Sequence, residues 1–250
     1  MPDNSKVPIA IIAKEVNEAL ISFVSTRLRA PIHVVTPERS YTKVRDVKLH
    51  RDDDFLPSRE FFAKCVHPRP GWIYQQCLKY QVVLTLGYES LLILDGDSVI
   101  ADRKFLDAGA VYYTPRNIEA VYDAYVRNVL GTEFSRAESF ITNQMLFNRS
   151  LLVGMLDSRF GGVDKWVDHA LAMLDAGEFS EYQVYACWAL LKGGVRAMPM
   201  KVFRRLDLVR RTPLEALQKY DLVAFEPHHR GGSLREVRAR FLYALGRNLG

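Results

Sequence analysis

The chain has 250 residues, a formal net charge of +5, and 48% hydrophobic against 25% charged residues; this suits one large globular core, and no apolar run is long enough to span a bilayer. The opening Met1-Pro2-Asp3-Asn4-Ser5-Lys6 lacks the charged-then-apolar form of a signal peptide, so a cytoplasmic protein without a transmembrane segment is expected. Cys65, Cys77 and Cys187 are odd in number and widely spaced, which predicts buried free thiols rather than disulfides or a zinc site.

Taken in chain order, Pro8-Ile9-Ala10-Ile11-Ile12-Ala13 reads as a buried strand, residues 15–28 as a helix, and Ile32-His33-Val34-Val35-Thr36 as a second strand. Strand, helix and strand in such short succession make a βαβ opening and predict a parallel sheet. Val47-Lys48-Leu49 is a short third strand, followed by a loop holding Asp52, Asp53 and Asp54. Gly71 precedes a helix that runs to about Leu86. On it Ile73, Cys77, Tyr80 and Leu84 share one face, and Trp72, Gln75, Gln76 and Lys79 share an adjacent one. Leu91-Leu92-Ile93-Leu94 is a buried strand that ends in Asp95-Gly96-Asp97.

Further on, Ala110-Val111-Tyr112-Tyr113 is a strand, and Asn117 caps a helix to about Leu130. Residues 140–147 read as a strand, and Asp164 caps a helix around Trp166, Ala170 and Leu174. Ser180-Glu181-Tyr182-Gln183 has the form of a capping box, in which Ser180 caps, Gln183 reaches back, and Gly193 closes the helix. Residues 195–202 and 222–225 are late strands. Ser233 and Glu236 open a final helix over 233–247, with Leu234, Val237, Phe241 and Leu245 as its apolar stripe. Nine arginines fall between 204 and 247, and such a basic end suits an anionic partner or simply a solvated face. With no repeat, low-complexity tract or linker, one domain is expected.

The end of the Leu91-Leu92-Ile93-Leu94 strand carries the most chemistry. An α/β sheet binds its ligand at the carboxyl ends of its strands. Two carboxylates there suit Mg²⁺ or Mn²⁺, and such a cation can hold a diphosphate. The competing reading is a β-turn, since Asp-Gly is a common turn dipeptide. The sequence has no phosphate-binding Gly-x-x-x-x-Gly-Lys-Ser/Thr loop, no Gly-x-Gly-x-x-Gly, no His-Glu-x-x-His and no Gly-x-Ser-x-Gly. That disfavours most nucleotide hydrolases, dehydrogenases and α/β hydrolases.

Three landmarks occur in order: Gly71-Trp72-Ile73-Tyr74-Gln75-Gln76-Cys77-Leu78-Lys79, Asp95-Gly96-Asp97, and Ser180-Glu181-Tyr182. In this the chain resembles the GT-A-fold glycosyltransferases. More narrowly, it is similar to a bacterial and phage group with Gly-Trp-x-x-Gln-Gln-x-x-Lys, Asp-x-Asp and Ser-Glu-Tyr motifs, over residues 7 to 230. The resemblance implies a single α/β domain of Rossmann-like GT-A form: a mixed, mostly parallel sheet flanked by helices, ending in a basic helix. Residues 7–115 would form the nucleotide-sugar half and residues 116–230 the acceptor half.

The resemblance also implies a set of roles. The strand ends at Ala13-Lys14 and Thr36-Pro37 would cradle the nucleoside. Asp95, Gly96 and Asp97 would meet the donor diphosphate, with Asp95 and Asp97 holding Mn²⁺ or Mg²⁺ and a late histidine, His228 or His229, completing the shell; His228 is the expected ligand. Trp72, Gln75, Gln76 and Lys79 would hold sugar hydroxyls or a phosphate, although a solvated helix face is the alternative. Glu181, with Asp97, is the expected catalytic group, taking the acceptor proton or steadying a positively charged sugar. Its place in a first helical turn favours the ionised form, and helix stabilisation alone is the competing explanation. The expected donor is a UDP-sugar. The expected acceptor is a hydroxymethylated DNA base or a bacterial surface glycan or glycolipid. Rival readings are a non-catalytic nucleotide-sugar or nucleic-acid binding module, and a nucleotidyltransferase; the latter usually needs a Gly-rich loop that Ala13-Lys14-Glu15-Val16-Asn17 does not offer.

Overall fold

The computed structural model describes residues 7–40, 47–100, 102–131, 137–204 and 216–224. The first half of the chain folds as β1 (Ile9–Ile12), α1 (Glu18–Leu28), β2 (Ile32–Thr36), β3 (Lys48–Arg51), α2 (Ser58–Lys64), α3 (Pro70–Leu86), β4 (Ser90–Asp95), β5 (Ser98–Ile100) and β6 (Ala110–Asn117). It continues as α4 (Ala120–Leu130), β7 (Glu138–Ser139), β8 (Gln144–Asn148), α5 (Arg149–Arg159), α6 (Trp166–Ala172), α7 (Glu181–Lys192), β9 (Arg196–Pro199), β10 (Val202–Arg204) and β11 (Leu222–Ala224).

The central sheet has the order β3-β2-β1-β4-β8. Its first four strands are parallel, and β8 runs antiparallel to β4. The chain therefore winds outward from β1 to β3, then returns past β1 to lay down β4 on the other side. The winding reverses between β1 and β4, and the carboxyl ends of those two strands flank the crevice where such sheets bind ligands.

Both sheet faces are buried, as parallel strands require. Alternation along β1 divides its residues. Ile9 and Ile11 pack with Leu20, Ile21, Val24 and Leu28 of α1, whereas Ala10 and Ile12 join the core containing residues of α3, α5 and α7. In β4 Leu92 and Leu94 belong to the first core, and Leu91 and Ile93 to the second. Two smaller sheets, β10-β11-β5 and β7-β6-β9, accompany the central one. The expected mixed, mostly parallel α/β architecture flanked by helices is what forms.

Several local expectations change. Of the strand expected over 140–147 only the second half forms, as β8 from Gln144; residues 140–143 are irregular, and Asn143 adopts a left-handed φ of 61°, a conformation asparagine tolerates better than most residues. Asn117 ends β6 instead of capping α4, and α6 begins at Trp166 without a side-chain cap. The unforeseen α5 is capped by Asn148, whose Oδ1 accepts from Leu151 N at 2.9 Å. Ser180 does cap α7, but Gln183 does not reach back. Its Oε1 accepts from Phe140 N at 2.7 Å and its Nε2 donates to Glu138 O, tying α7 to the loop before β8.

Cys65, Cys77 and Cys187 are free and buried. Among the described residues no helix is long and apolar enough to cross a membrane. The expected basic helix over 233–247, His228 and His229 lie outside the described residues.

A histidine pair bridges β2 and β3. His33 Nδ1 of β2 lies 2.9 Å from His50 Nε2 of β3, and His33 Nε2 lies 3.2 Å from Tyr88 Oη. Burial, then the His50 and Lys48 charges, lower His33 from 6.5 to about 4. Burial, then Lys48, lower His50 as well, against the opposing pull of Asp54. A histidine depressed by folding takes its proton more readily when unfolded. Its contribution to stability is full above pH 6.5 and is lost as pH falls towards 4. The melting temperature is expected to drop across that window, and His33→Gln should flatten the drop; thermal melts of both chains from pH 8 to 4 check this.

Candidate active site

The site begins with the alternation of β4. Side chains two apart point to the same face, so Asp95 continues the row of Leu91 and Ile93 towards the helices of the second core. The strand end is pinned from both sides: Asp95 N donates to Asn143 O at 3.0 Å, and Gly96 N donates to Ile12 O at 2.8 Å. Gly96 and Asp97 then turn the chain into β5. The turn reading of Asp-Gly is therefore correct, and the turn sets both carboxylates at the lip of the sheet. Asp97 is half-buried and its Oδ1 accepts from Ser98 Oγ at 3.0 Å.

Only glycine fits between them. A Cβ at Gly96 would lie 2.4 Å from Ala13 Cβ and 2.9 Å from Ile12 O, the acceptor of Gly96's own N–H. Gly96→Ala is expected to cost about 1–3 kcal/mol, as overpacking does, and to displace Asp95 from Asp97. Chemical denaturation checks the first effect and a structure of the variant the second.

Behind the lip, α3 supplies Lys79 and α7 supplies Glu181 and Tyr182. Helix α3 is buried almost all round, packed against α5, α7 and the sheet. Lys79 is 1% exposed, with Nζ 2.6 Å from Asp95 Oδ1 and 2.6 Å from Glu181 Oε1. Tyr182 Oη donates to the same Asp95 oxygen at 2.8 Å, and the ammonium lies 4.2 Å from the centre of the Tyr182 ring. Gln76, its amide oriented to satisfy its partners, donates to the Glu181 carboxylate. Tyr80 Oη holds the Glu181 carbonyl at 2.7 Å.

The electrostatics follow from this enclosure. Burial works against a charged Lys79, but the Asp95 and Glu181 carboxylates outweigh it and raise its pKa. Complete burial pushes Glu181 up from 4.5 to about 7, against the opposing Lys79 charge. The ionised state expected from the helix dipole is thus opposed by desolvation, the larger effect at a fully buried carboxyl. Burial, reinforced by Asp95 and Glu181, keeps Tyr182 protonated and so a donor.

The expected sugar-holding face of α3 divides. Gln76 and Lys79 are inside, engaged with Glu181 and Asp95. Trp72 and Gln75 are only half-buried, and Trp72 carries the Arg69 guanidinium at 4.6 Å and leans on Tyr122. Glu181 is 0% exposed, so in this arrangement it meets no acceptor directly, contrary to the role expected for it. The reason is that α7 is buried all round from Glu181 to Ala189, which periodicity alone does not reveal.

At the neighbouring strand ends, Ala13 N donates to Val35 O at 3.0 Å, bringing Lys14 beside Thr36 and Pro37. Lys14 is exposed, and its carbonyl accepts from Ser40 Oγ at 2.8 Å. Thr36 is fully buried, yet its Oγ1 has no hydrogen-bond partner. Asn143 Oδ1 and Gln144 Oε1, beside Asp95 and Leu94, are likewise unpartnered. Of the acidic cluster, Asp53 accepts from Ser58 N at 2.8 Å and Asp54 pairs with Arg51. Both are occupied in local structure. Tyr182 entered the sequence reading only as part of the Ser-Glu-Tyr landmark, and its hydrogen bond to Asp95 is the contact that reading missed.

The carboxylates fit a hard divalent cation. Among the described residues no three His, Cys, Asp or Glu side chains converge as a complete metal site. Mg²⁺ characteristically needs only one or two carboxylates and fills its shell with water and phosphate oxygens. Asp95 is 20% exposed in its side chain, and its contacts with Lys79 and Tyr182 both use Oδ1. Ala224, the last described residue of β11, pairs with Ser98 next to Asp97.

No protein-family model and no curated protein matches this sequence. Among solved structures, the chain is similar to the glycosyltransferase GlyE of Streptococcus pneumoniae, with 11% identity and a TM-score of 0.43 over 97% of this chain and 63% of that one. A glycosyltransferase involved in glycosylation of the major capsid of PBCV-1 gives 14% identity and a TM-score of 0.38, over 93% and 98% of the two chains. A putative glucose-1-phosphate thymidylyltransferase from Bacillus anthracis gives 12% and 0.38, over 78% and 87%. Identities and scores at this level set neither a family nor an activity.

Proposed function

We propose that the chain is a GT-A-like, metal-dependent glycosyltransferase that moves a sugar from a nucleotide sugar, a UDP-sugar foremost, to a hydroxyl acceptor. The observation that carries this reading is the placement of Asp95 and Asp97 around a glycine that admits no side chain, at the crevice between β1 and β4. Lys14, Thr36 and Pro37 form the nucleoside side, with Lys14 exposed and Thr36 buried beneath it. Asp95 and Asp97 would hold Mn²⁺ or Mg²⁺; the expected third ligand, His228, lies outside the described residues. A cation so held would stabilise negative charge on the departing nucleoside diphosphate.

Residues 7–115 serve the donor and 116–230 the acceptor. The bond from the anomeric carbon to the diphosphate breaks with both electrons leaving on oxygen. The acceptor oxygen forms the new bond, and its proton passes to the released diphosphate or to water. Tyr182 positions Asp95 for this, Glu181 holds Lys79, and Gln76 donates to Glu181. Incubation with a panel of nucleotide sugars and Mn²⁺ tests the proposal: nucleoside diphosphate should be released slowly to water and faster with the correct acceptor. Binding without any release would favour a non-catalytic module. For the acceptor, duplex DNA binding that falls steeply with salt supports the base, and no binding directs the search to glycans and glycolipids.

A further inference from the structure

One ammonium, fully buried, is shared at 2.6 Å by two carboxylates of different exposure. Asp95 belongs to the lip and keeps one-fifth of its side-chain surface exposed, while Glu181 has none. A buried charge persists only when it is paired. Lys79 can therefore release Asp95 only if another anion remains with it, and Glu181 is that anion. Further contacts keep Glu181 beside the ammonium. Gln76 donates to its carboxylate, and Tyr80 fixes its backbone at 2.7 Å. Tyr182 is shared in the same way, its hydroxyl on Asp95 and its ring under the ammonium.

We infer that Lys79 is a built-in counter-charge that competes with a divalent cation for Asp95, and that Glu181 is a positioning residue that retains the ammonium when the cation takes the Asp95 carboxylate. The inference rests on the proposed function, because it supposes that Asp95 binds a cation. It deepens that reading by giving Lys79 and Glu181 opposite effects on the same equilibrium. Removing the ammonium leaves Asp95 more negative and the cation tighter. Removing the Glu181 charge leaves Asp95 as the sole anion for Lys79, and the cation is then weaker.

The test is titration of the full chain with Mn²⁺, with and without uridine diphosphate, following free Mn²⁺ by its electron paramagnetic resonance signal. Lys79→Met should bind Mn²⁺ about tenfold or more tightly than wild type. Glu181→Gln should bind it about tenfold or more weakly. Lys79→Met combined with Glu181→Gln has no unpaired interior charge at this position and should resemble Lys79→Met, which keeps the test valid if the single variant folds poorly. A purely structural role for the pair would weaken binding in all three variants. That result, or unchanged affinity in Glu181→Gln, overturns the inference while leaving the proposed function standing. A wild type that takes up no Mn²⁺ under either condition overturns the proposed function, and the inference with it.

Discussion

Asp95→Asn combined with Asp97→Asn is expected to reduce release of nucleoside diphosphate from a nucleotide sugar by about a thousandfold or more, the scale seen when electrostatic stabilisation of a transition state is removed. The fold should survive. An asparagine at 95 still offers Tyr182 an acceptor oxygen, and Lys79 keeps Glu181 at 2.6 Å. The melting temperature of the double variant without ligand should stay within a few degrees of wild type, so lost turnover cannot be ascribed to unfolding. Steady-state turnover with Mn²⁺ present, alongside thermal melts, makes the comparison. Near-normal turnover in the double variant would remove the carboxylates from the chemistry.

The second large effect concerns stability. Lys79→Met removes the partner of a carboxyl that is 0% exposed. Breaking a buried ion pair from one side costs about 3–5 kcal/mol, which for a chain of this size lowers the melting temperature by roughly 10 °C. Adding Glu181→Gln should recover most of the loss, because no isolated charge then remains. The pH dependence has a definite sign. The Glu181 carboxyl is raised by folding, from 4.5 to about 7. It therefore favours the fold at low pH, and that contribution fades as pH rises through this window. Without Lys79 the pKa rises further, so the penalty of Lys79→Met should be greater at pH 8 than at pH 5. Melts at the two pH values, for the single and double variants, measure both effects.

Much of the frame was legible in the sequence. The runs at 8–13, 32–36 and 91–94 are too apolar for anything but strands covered on both faces, and they form the heart of the sheet. The position of Asp95 at a strand end also followed from its sequence, because four aliphatic residues precede it and a turn-forming glycine follows. The partnership of Lys79 with Glu181 was not legible. Trp72, Gln75, Gln76 and Lys79 have the spacing of a polar helix face, and such faces normally meet solvent. Here α3 is enclosed between the sheet, α5 and α7, and two of the four residues become interior. The contact that explains them spans about a hundred residues of chain, which no local periodicity encodes. Gln183 is a similar case. It occupies the reach-back position of a capping box, yet the backbone at Phe140 and Glu138 captures its amide instead. The first half of the strand expected over 140–147 failed locally: residues 140–143 are irregular, with Asn143 left-handed.

The central claim is that the Asp95-Gly96-Asp97 lip holds a divalent cation together with a nucleoside diphosphate. A ligand that binds only the folded chain raises its melting temperature according to affinity and concentration. The most direct measurement is the thermal shift produced by uridine diphosphate with and without Mn²⁺, in wild type and in the Asp95→Asn, Asp97→Asn variant. The account predicts a clear stabilisation of wild type that requires both components and vanishes in the variant. A shift that persists in the variant, or no shift in wild type at millimolar ligand, would contradict it.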